Sequence, residues 1–435
     1  MKKTVSLFKN LIKHQLFNIR RGFVTLFFLL VFVPLLITII YGWPFFLERF
    51  STYSYFEIFA FKVFAIMFIY FIVSLALLIL IDISFRFLYF LIKRERYIPQ
   101  KRAKSKNLYA KPHPYLPYVN RSHFKIRGNI IPNYPLNKGK FTHSKLTTNS
   151  LGFANGPNGD RDVSIDKPIH LYRINCLGAS TTGNYISEGN KNYSYPLELE
   201  KLLNEASSRE VEVNNFGLGG YNSADILVRF ILEIVETNPD MIIIYHAHND
   251  IRSYLTPDFK HDYSHSKINL GENYWKFEIG EKIPFLPFQF TDFILEKWFP
   301  IGVRNSLIDF VSKGKMNLNI DPKQGLEVYR RNLEYLIEIC KIRDIKVVLS
   351  TYAHFLYKDI RDSELHKKLR EIIYKENEIM RDLSKLHKLT IVDNANLIPA
   401  EEKYFLDSLH FTPEGMKLLA KNIAKSLKSY INKEK

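Results

Sequence analysis

From Ile169 onward, short apolar-rich runs alternate with longer stretches of helical periodicity, and few folds accept that alternation. Ile169–Ile174, Val211–Phe216, Met241–Tyr245, Lys346–Thr351 and Thr390–Asp393 read as strands. Between and after them, Tyr195–Ala206, Ser223–Glu236, about Gln324–Arg343, about Ser363–Lys388 and a closing segment after Pro413 read as helices. Strands separated by helices cannot pair as hairpins; they are joined by crossovers and lie parallel, covered on both faces. The expected architecture is a three-layer α/β sandwich around a five-stranded parallel, flavodoxin-like sheet. Such a sheet gathers the loops that follow its strands at one edge, where chemistry is carried out.

Those loops hold reactive residue types. After the first strand, Asn175–Asn184 places Ser180 in a turn rich in Gly, Thr and Asn, a setting that is also that of an ordinary tight turn. Asn215–Ser223 follows the second strand, and its glycines let a backbone N–H approach a ligand closely. The third strand runs into His246-Ala247-His248-Asn249-Asp250, which offers an amide donor or simply an Asx turn. Near the C-terminus Asp407 and His410 stand three residues apart just before a helix; alone they read as a turn cap and a surface histidine. Together the four loops supply a nucleophile, donors for an oxyanion, a base and an orienting carboxylate.

In this order, and on this α/β pattern, the four blocks resemble the GDSL/SGNH hydrolases, a family of serine esterases and lipases. The resemblance covers about Ile169–Asn432. It implies that Ser180 is the nucleophile, His410 the general base and then acid, and Asp407 the carboxylate orienting His410. It also implies an oxyanion hole made of the N–H of Ser180, the N–H of Gly220 and the amide of Asn249. The first block reads Gly-Ala-Ser-Thr-Thr in place of Gly-Asp-Ser-Leu, and Ala247 stands where the family has a glycine. His248, beside Asn249, and Tyr221 are candidates to line the substrate pocket. No cofactor is expected. Metal binding by His246, His248, His261 and His265 is weighed and set aside for want of a convincing ligand spacing. Gly217–Gly220 lacks the third glycine of a dinucleotide fingerprint.

The N-terminal part has a different character. Residues 22–47 and 63–81 contain no charged side chain, and each run is long enough to cross a bilayer. Residues 1–90 are therefore expected to form a membrane anchor of two transmembrane helices. Residues 91–167 are a basic juxtamembrane segment followed by a Pro/Asn-rich stretch that wraps on the next domain. Residues 168–435 form the hydrolase domain, with an aromatic insertion at about 254–321. The chain carries 61 basic against 44 acidic residues, a net charge of +17. Basic residues flank both apolar runs, so under the positive-inside rule both termini and the hydrolase domain lie in the cytoplasm, at an inner membrane. The other placement is periplasmic or extracellular. The basic segment 86–111 is a candidate for contact with anionic lipids, which accounts for the charge without nucleic acid. Two cysteines, Cys176 and Cys340, provide no disulfide framework.

The expected activity is hydrolysis of an acyl or acetyl ester on a lipid, or on a lipid-linked or cell-envelope sugar, through an acyl-serine intermediate. The rival readings are an O-acyltransferase with the same triad and a catalytically silent membrane scaffold.

Overall fold

A computed structural model of the chain describes residues 110–125, 134–143, 147–189, 191–266 and 316–431, with a helical stretch at 79–92 and isolated helical positions before it. The chain divides into two units, Met1–Asn107 with Trp275–Ile301, and Leu108–Tyr274 with Gly302–Lys435. In the first, residues 79–92 turn apolar side chains outward: Leu80, Ile83, Phe87 and Leu88 are each more than half exposed. Asp82 is buried beside them and accepts a hydrogen bond from Arg86 Nε at 2.7 Å, one turn on. Residues 22–47 and most of 63–81 lie outside the described residues. Among the described residues no helix is long and apolar enough to cross a membrane, so neither expected span has a counterpart there.

The second unit is built on a five-stranded sheet. Its strands are β1 (Tyr172–Gly178), β2 (Val211–Gly217), β3 (Met241–Tyr245), β4 (Lys346–Ser350) and β5 (Thr390–Val392). They lie in the order β5-β4-β3-β1-β2 and every neighbouring pair is parallel. This is the flavodoxin-like order expected above. Helices α1 (Tyr195–Ala206), α2 (Ser223–Arg229), α3 (Lys323–Ile342), α4 (Glu364–His387) and α5 (Pro413–Ile431) cover it. One layer pairs α1 with α5; in the other, α3 packs on α2 and α4. All residues of β1 and β3 are buried, as a sheet with two covered faces requires.

Two elements differ from their expected form. β1 does not end at Ile174; it starts at Tyr172, leaves Ile169 at 97% exposure, and continues through Asn175–Gly178. The buried Asn175 is tolerated inside a strand because Asn214 donates to its oxygen at 3.1 Å while its own amide donates to Thr237 at 2.9 Å. The expected helix Ser223–Glu236 is α-helical only to Arg229, then passes through a π turn at Phe230–Ile234 and a 3-10 turn at Val235–Thr237.

The Pro/Asn-rich segment wraps on this unit. Ala110–Lys111 pairs antiparallel with Val119–Asn120, and Leu116, Tyr118 and Phe153 are buried in the core. Arg161 bonds Glu200 on α1 at 2.7 Å and the carbonyl of Val213 on β2 at 2.8 Å. The first part of the expected insertion is also core: Tyr254, Leu255 and Tyr263 are 1% exposed or less. Residues 267–315 lie outside the described ones.

Candidate active site

Ser180 owes its position to the end of β1. After Gly178 the chain turns at Ala179 into a single helical turn, Ser180–Gly183, of which Ser180 is the first residue. A first-turn N–H has no intrahelical acceptor, so that of Ser180 is available to a ligand. The turn is pressed against β2 backbone to backbone: a Cβ on Gly217 would lie 2.1 Å from the nitrogen of Gly183, so only glycine fits. Ser180 itself is half-buried.

The C-terminal block forms a tight hairpin in which Leu406 N donates to the His410 carbonyl at 2.7 Å. Asp407 Oδ1 accepts from the backbone N–H groups of Leu409 and His410, both at 2.7 Å. Its other oxygen, Oδ2, meets His410 Nδ1 at 2.7 Å, and His410 Nε2 meets Ser180 Oγ at 3.0 Å. An ionised carboxylate can only accept, so Nδ1 carries the proton and Nε2 is left to accept from the serine hydroxyl. Burial favours the protonated form of Asp407. The His410 imidazole and the two backbone donors outweigh it and hold the carboxyl below its ordinary value. Tyr134, from the wrapping segment, stacks on the His410 ring with centroids 4.8 Å apart.

The loop after β2 sits on the serine. Gly220 has φ +76°, in the left-handed region, and a Cβ on Gly219 would lie 3.8 Å from Ser180 Cβ. Tyr118 Oη donates to the Gly219 carbonyl. Asn249 donates one amide hydrogen to the Tyr221 carbonyl at 2.9 Å, which fixes the amide beside Gly220 and leaves its second N–H. Thus the structure joins Ser180, His410 and Asp407 in one chain of hydrogen bonds, and ties Asn249 to the loop of Gly220. Tyr221 itself is used by the fold: it is 2% exposed, its hydroxyl donates to the Tyr118 carbonyl at 2.5 Å, and its ring meets that of Tyr118 edge-on.

The remaining histidines separate. His246 is fully buried with Nε2 2.6 Å from Asp250 Oδ2, and Asp250 also accepts from Ser223 N at 2.9 Å, so this pair fastens β3 to α2. Among the described residues no three of His, Cys, Asp and Glu converge to hold a metal. His248 is half-buried with φ +71°, and its N–H donates to Glu376 on α4 at 3.1 Å. Tyr134, Glu376 and His354, the last on the loop after β4, are neighbours of the site that no motif announces.

A sequence profile of the GDSL-like lipase/acylhydrolase family matches residues 176–418. No curated protein matches the chain. Among solved structures, the lipase/acylhydrolase from Enterococcus faecalis is 18% identical over 61% of this chain and 99% of its own, with a TM-score of 0.36. An acetylxylan esterase from Geobacillus stearothermophilus is 14% identical over 59% of this chain and 94% of its own, at 0.37. A GDSL-like lipase from Bacteroides thetaiotaomicron is 14% identical over 59% and 88%, at 0.34.

Proposed function

The chain belongs to the GDSL-like lipase/acylhydrolase family, and from that premise we propose that it is a membrane-anchored serine esterase working through an acyl-serine intermediate. The observation that carries the reading is the relay from Asp407 Oδ2 to His410 Nδ1 at 2.7 Å and from His410 Nε2 to Ser180 Oγ at 3.0 Å, the second contact joining residues far apart in the chain. A serine hydroxyl is a weak nucleophile near neutral pH, and a positioned imidazole is what activates it.

In the first half-reaction Ser180 Oγ attacks the ester carbonyl carbon while its proton passes to His410 Nε2. The carbonyl oxygen becomes an oxyanion, received by the N–H groups of Ser180 and Gly220 and by the free amide hydrogen of Asn249. Collapse breaks the ester C–O bond; the departing alkoxide takes the proton from Nε2, leaving acyl-Ser180 and a neutral imidazole. Water then attacks the acyl carbon, giving its proton to Nε2, and Ser180 leaves with that proton, releasing the carboxylic acid. Throughout, Asp407 stabilises the imidazolium without accepting its proton.

The anchor is proposed from the uncharged runs 22–47 and 63–81 and their basic flanks, with the hydrolase domain on the cytoplasmic side and residues 86–111 against anionic lipid. The exposed apolar side chains of residues 79–92 suit a lipid-facing helix. Two experiments test the whole. A fluorophosphonate probe labels the wild type and not Ser180→Ala; failure to label folded wild type refutes the mechanism. Protease added outside intact spheroplasts leaves the chain after residue 100 uncut; cleavage there moves the domain to the other side.

A further inference from the structure

The edge of the sheet that carries Ser180 also carries two imidazoles the reaction does not use. His248 follows β3 and precedes Asn249. His354 follows β4, the neighbour of β3. The backbone on either side of His354 is pinned to the site: Ala353 N donates to Tyr245 Oη at 3.3 Å, and Phe355 N donates at 2.9 Å to the carbonyl of Ser408, next to Asp407. Both ring nitrogens of His354 and Nδ1 of His248 are buried and have no hydrogen-bond partner among the described residues. Buried nitrogens are nearly always satisfied, so three orphans on adjacent strand ends, beside a catalytic pair, mark a place where something else supplies the partners.

We infer that His248 and His354 form a subsite for hydroxyl groups beside the Ser180–His410 pair, and that the substrate is accordingly an ester of a polyhydroxylated alcohol, a glycan, and not a glyceride. Chemistry selects the ligand. Burial pushes the His248 imidazole down to about 4, with the charge on His410 adding to it and that on Asp407 opposing. His354 is pushed down to about 3 by burial, with further contributions from His248, Arg370 and His366. Both rings are therefore neutral near pH 7, and a neutral imidazole presents one N–H donor and one lone pair. A sugar hydroxyl also donates and accepts, so it satisfies either nitrogen. A phosphate or carboxylate only accepts and leaves the lone pairs facing its negative oxygens. An alkyl chain leaves every nitrogen unpaired.

The inference rests on the esterase reading above, and the test separates the two. The full-length protein is assayed on a mono-O-acetylated methyl glycoside with its other hydroxyls free and on the same compound with those hydroxyls O-methylated. The wild type is expected to favour the free-hydroxyl ester by about tenfold or more in kcat/KM, the worth of one or two hydrogen bonds. His354→Phe brings the ratio close to one, and His354→Gln, which keeps a donor and an acceptor, retains most of it. Because the ratio is internal to each protein, a loss of folded material cancels. A wild-type ratio near one, or a ratio unchanged in both His354→Phe and His248→Phe, overturns the subsite while esterase activity stands. If wild type cleaves neither these esters nor a nitrophenyl acetate, the esterase reading falls and the subsite with it.

Discussion

The buried carboxyl group of Glu376 accepts a hydrogen bond from the backbone N–H of His248 at 3.1 Å, so the long helix α4 fixes the turn that carries Asn249. His248 has φ +71°, a left-handed conformation that a residue with a side chain adopts at a cost of about 1–3 kcal/mol. The other oxygen of Glu376 accepts from Tyr254 Oη at 2.9 Å, which holds the acceptor in place. Glu376→Leu deletes the acceptor; the turn relaxes and the amide of Asn249 loses its aim. We expect kcat to fall about tenfold with KM changed less than about twofold, while Glu376→Gln, which keeps a carbonyl oxygen, retains most activity. Combined with Asn249→Ala, the loss from Glu376→Leu should be less than additive. Additive losses would show that Glu376 acts elsewhere.

The same carboxyl makes stability depend on pH. Burial, with the charge on Asp250 adding to it, raises Glu376 from 4.5 to about 8. The folded state keeps the proton over a range where the unfolded chain releases it, so this contribution is complete below pH 4.5 and is lost as pH rises towards 8. His248 and His354 act in the opposite sense. Lowered from 6.5 by burial, they stabilise above pH 6.5, and that contribution is lost as pH falls towards about 4 and about 3. Of these three groups only Glu376 acts between pH 6.5 and 8, where wild-type stability should fall by up to about 1.4 kcal/mol per pH unit. In Glu376→Gln the urea midpoint should be flat over that interval relative to wild type. Parallel curves for the two proteins would refute the assignment.

Asn249 provides the most direct check of the oxyanion hole. Its amide is anchored by one hydrogen to the Tyr221 carbonyl at 2.9 Å, and the second is the proposed donor. Asn249→Ala should lower kcat by about a hundredfold or more, roughly 3 kcal/mol of transition-state stabilisation, with KM little changed. Because Ser180, His410 and Asp407 stay in place, the variant should still be labelled by a fluorophosphonate, only more slowly. A variant with wild-type kcat would remove Asn249 from the mechanism.

What could be read from the chain and what could not divide along the range of the interactions involved. Ser180 stands in a short linear block at the end of β1, and Asp407 and His410 share another just before α5, so each is legible from its own few residues. Val211, Met241 and Thr390 start their strands where the periodicity puts them. Asn175 misleads because an asparagine reads as a loop residue until Asn214 and Thr237 are known to satisfy it across the sheet. Glu376 lies on a charged amphipathic helix and looks like one more solvated residue; nothing local says that it is fully buried against Tyr254. Tyr221 stands beside Gly220 in sequence, yet its side chain is turned into the wrap by Tyr118. In each case the deciding partner lies well away along the chain.

Tyr134 is the residue by which the wrapping segment takes part in the site. Its ring stacks on the His410 imidazole at 4.8 Å with an interplanar angle of 27°, and the neighbouring Leu136 N donates to the Leu406 carbonyl at 2.9 Å, so the segment is fastened to the hairpin that holds Asp407 and His410. The imidazole is thus fixed by three contacts of different kinds: a carboxylate on Nδ1, a hydroxyl on Nε2 and an aromatic face. The first two set its proton and its target; the third limits ring motion out of its plane and takes the face that water would occupy. An aromatic contact of this kind contributes about 0.5–1.5 kcal/mol beyond the area it buries. Tyr134→Ala should therefore reduce kcat about threefold to tenfold, whereas Tyr134→Phe, which keeps the ring, should stay within about twofold of wild type. The comparison is made on kcat and on the rate of fluorophosphonate labelling together, since both require the same activated serine. Equal rates for Tyr134→Ala and wild type in both assays would show that the Asp407 hydrogen bond alone is enough to hold His410.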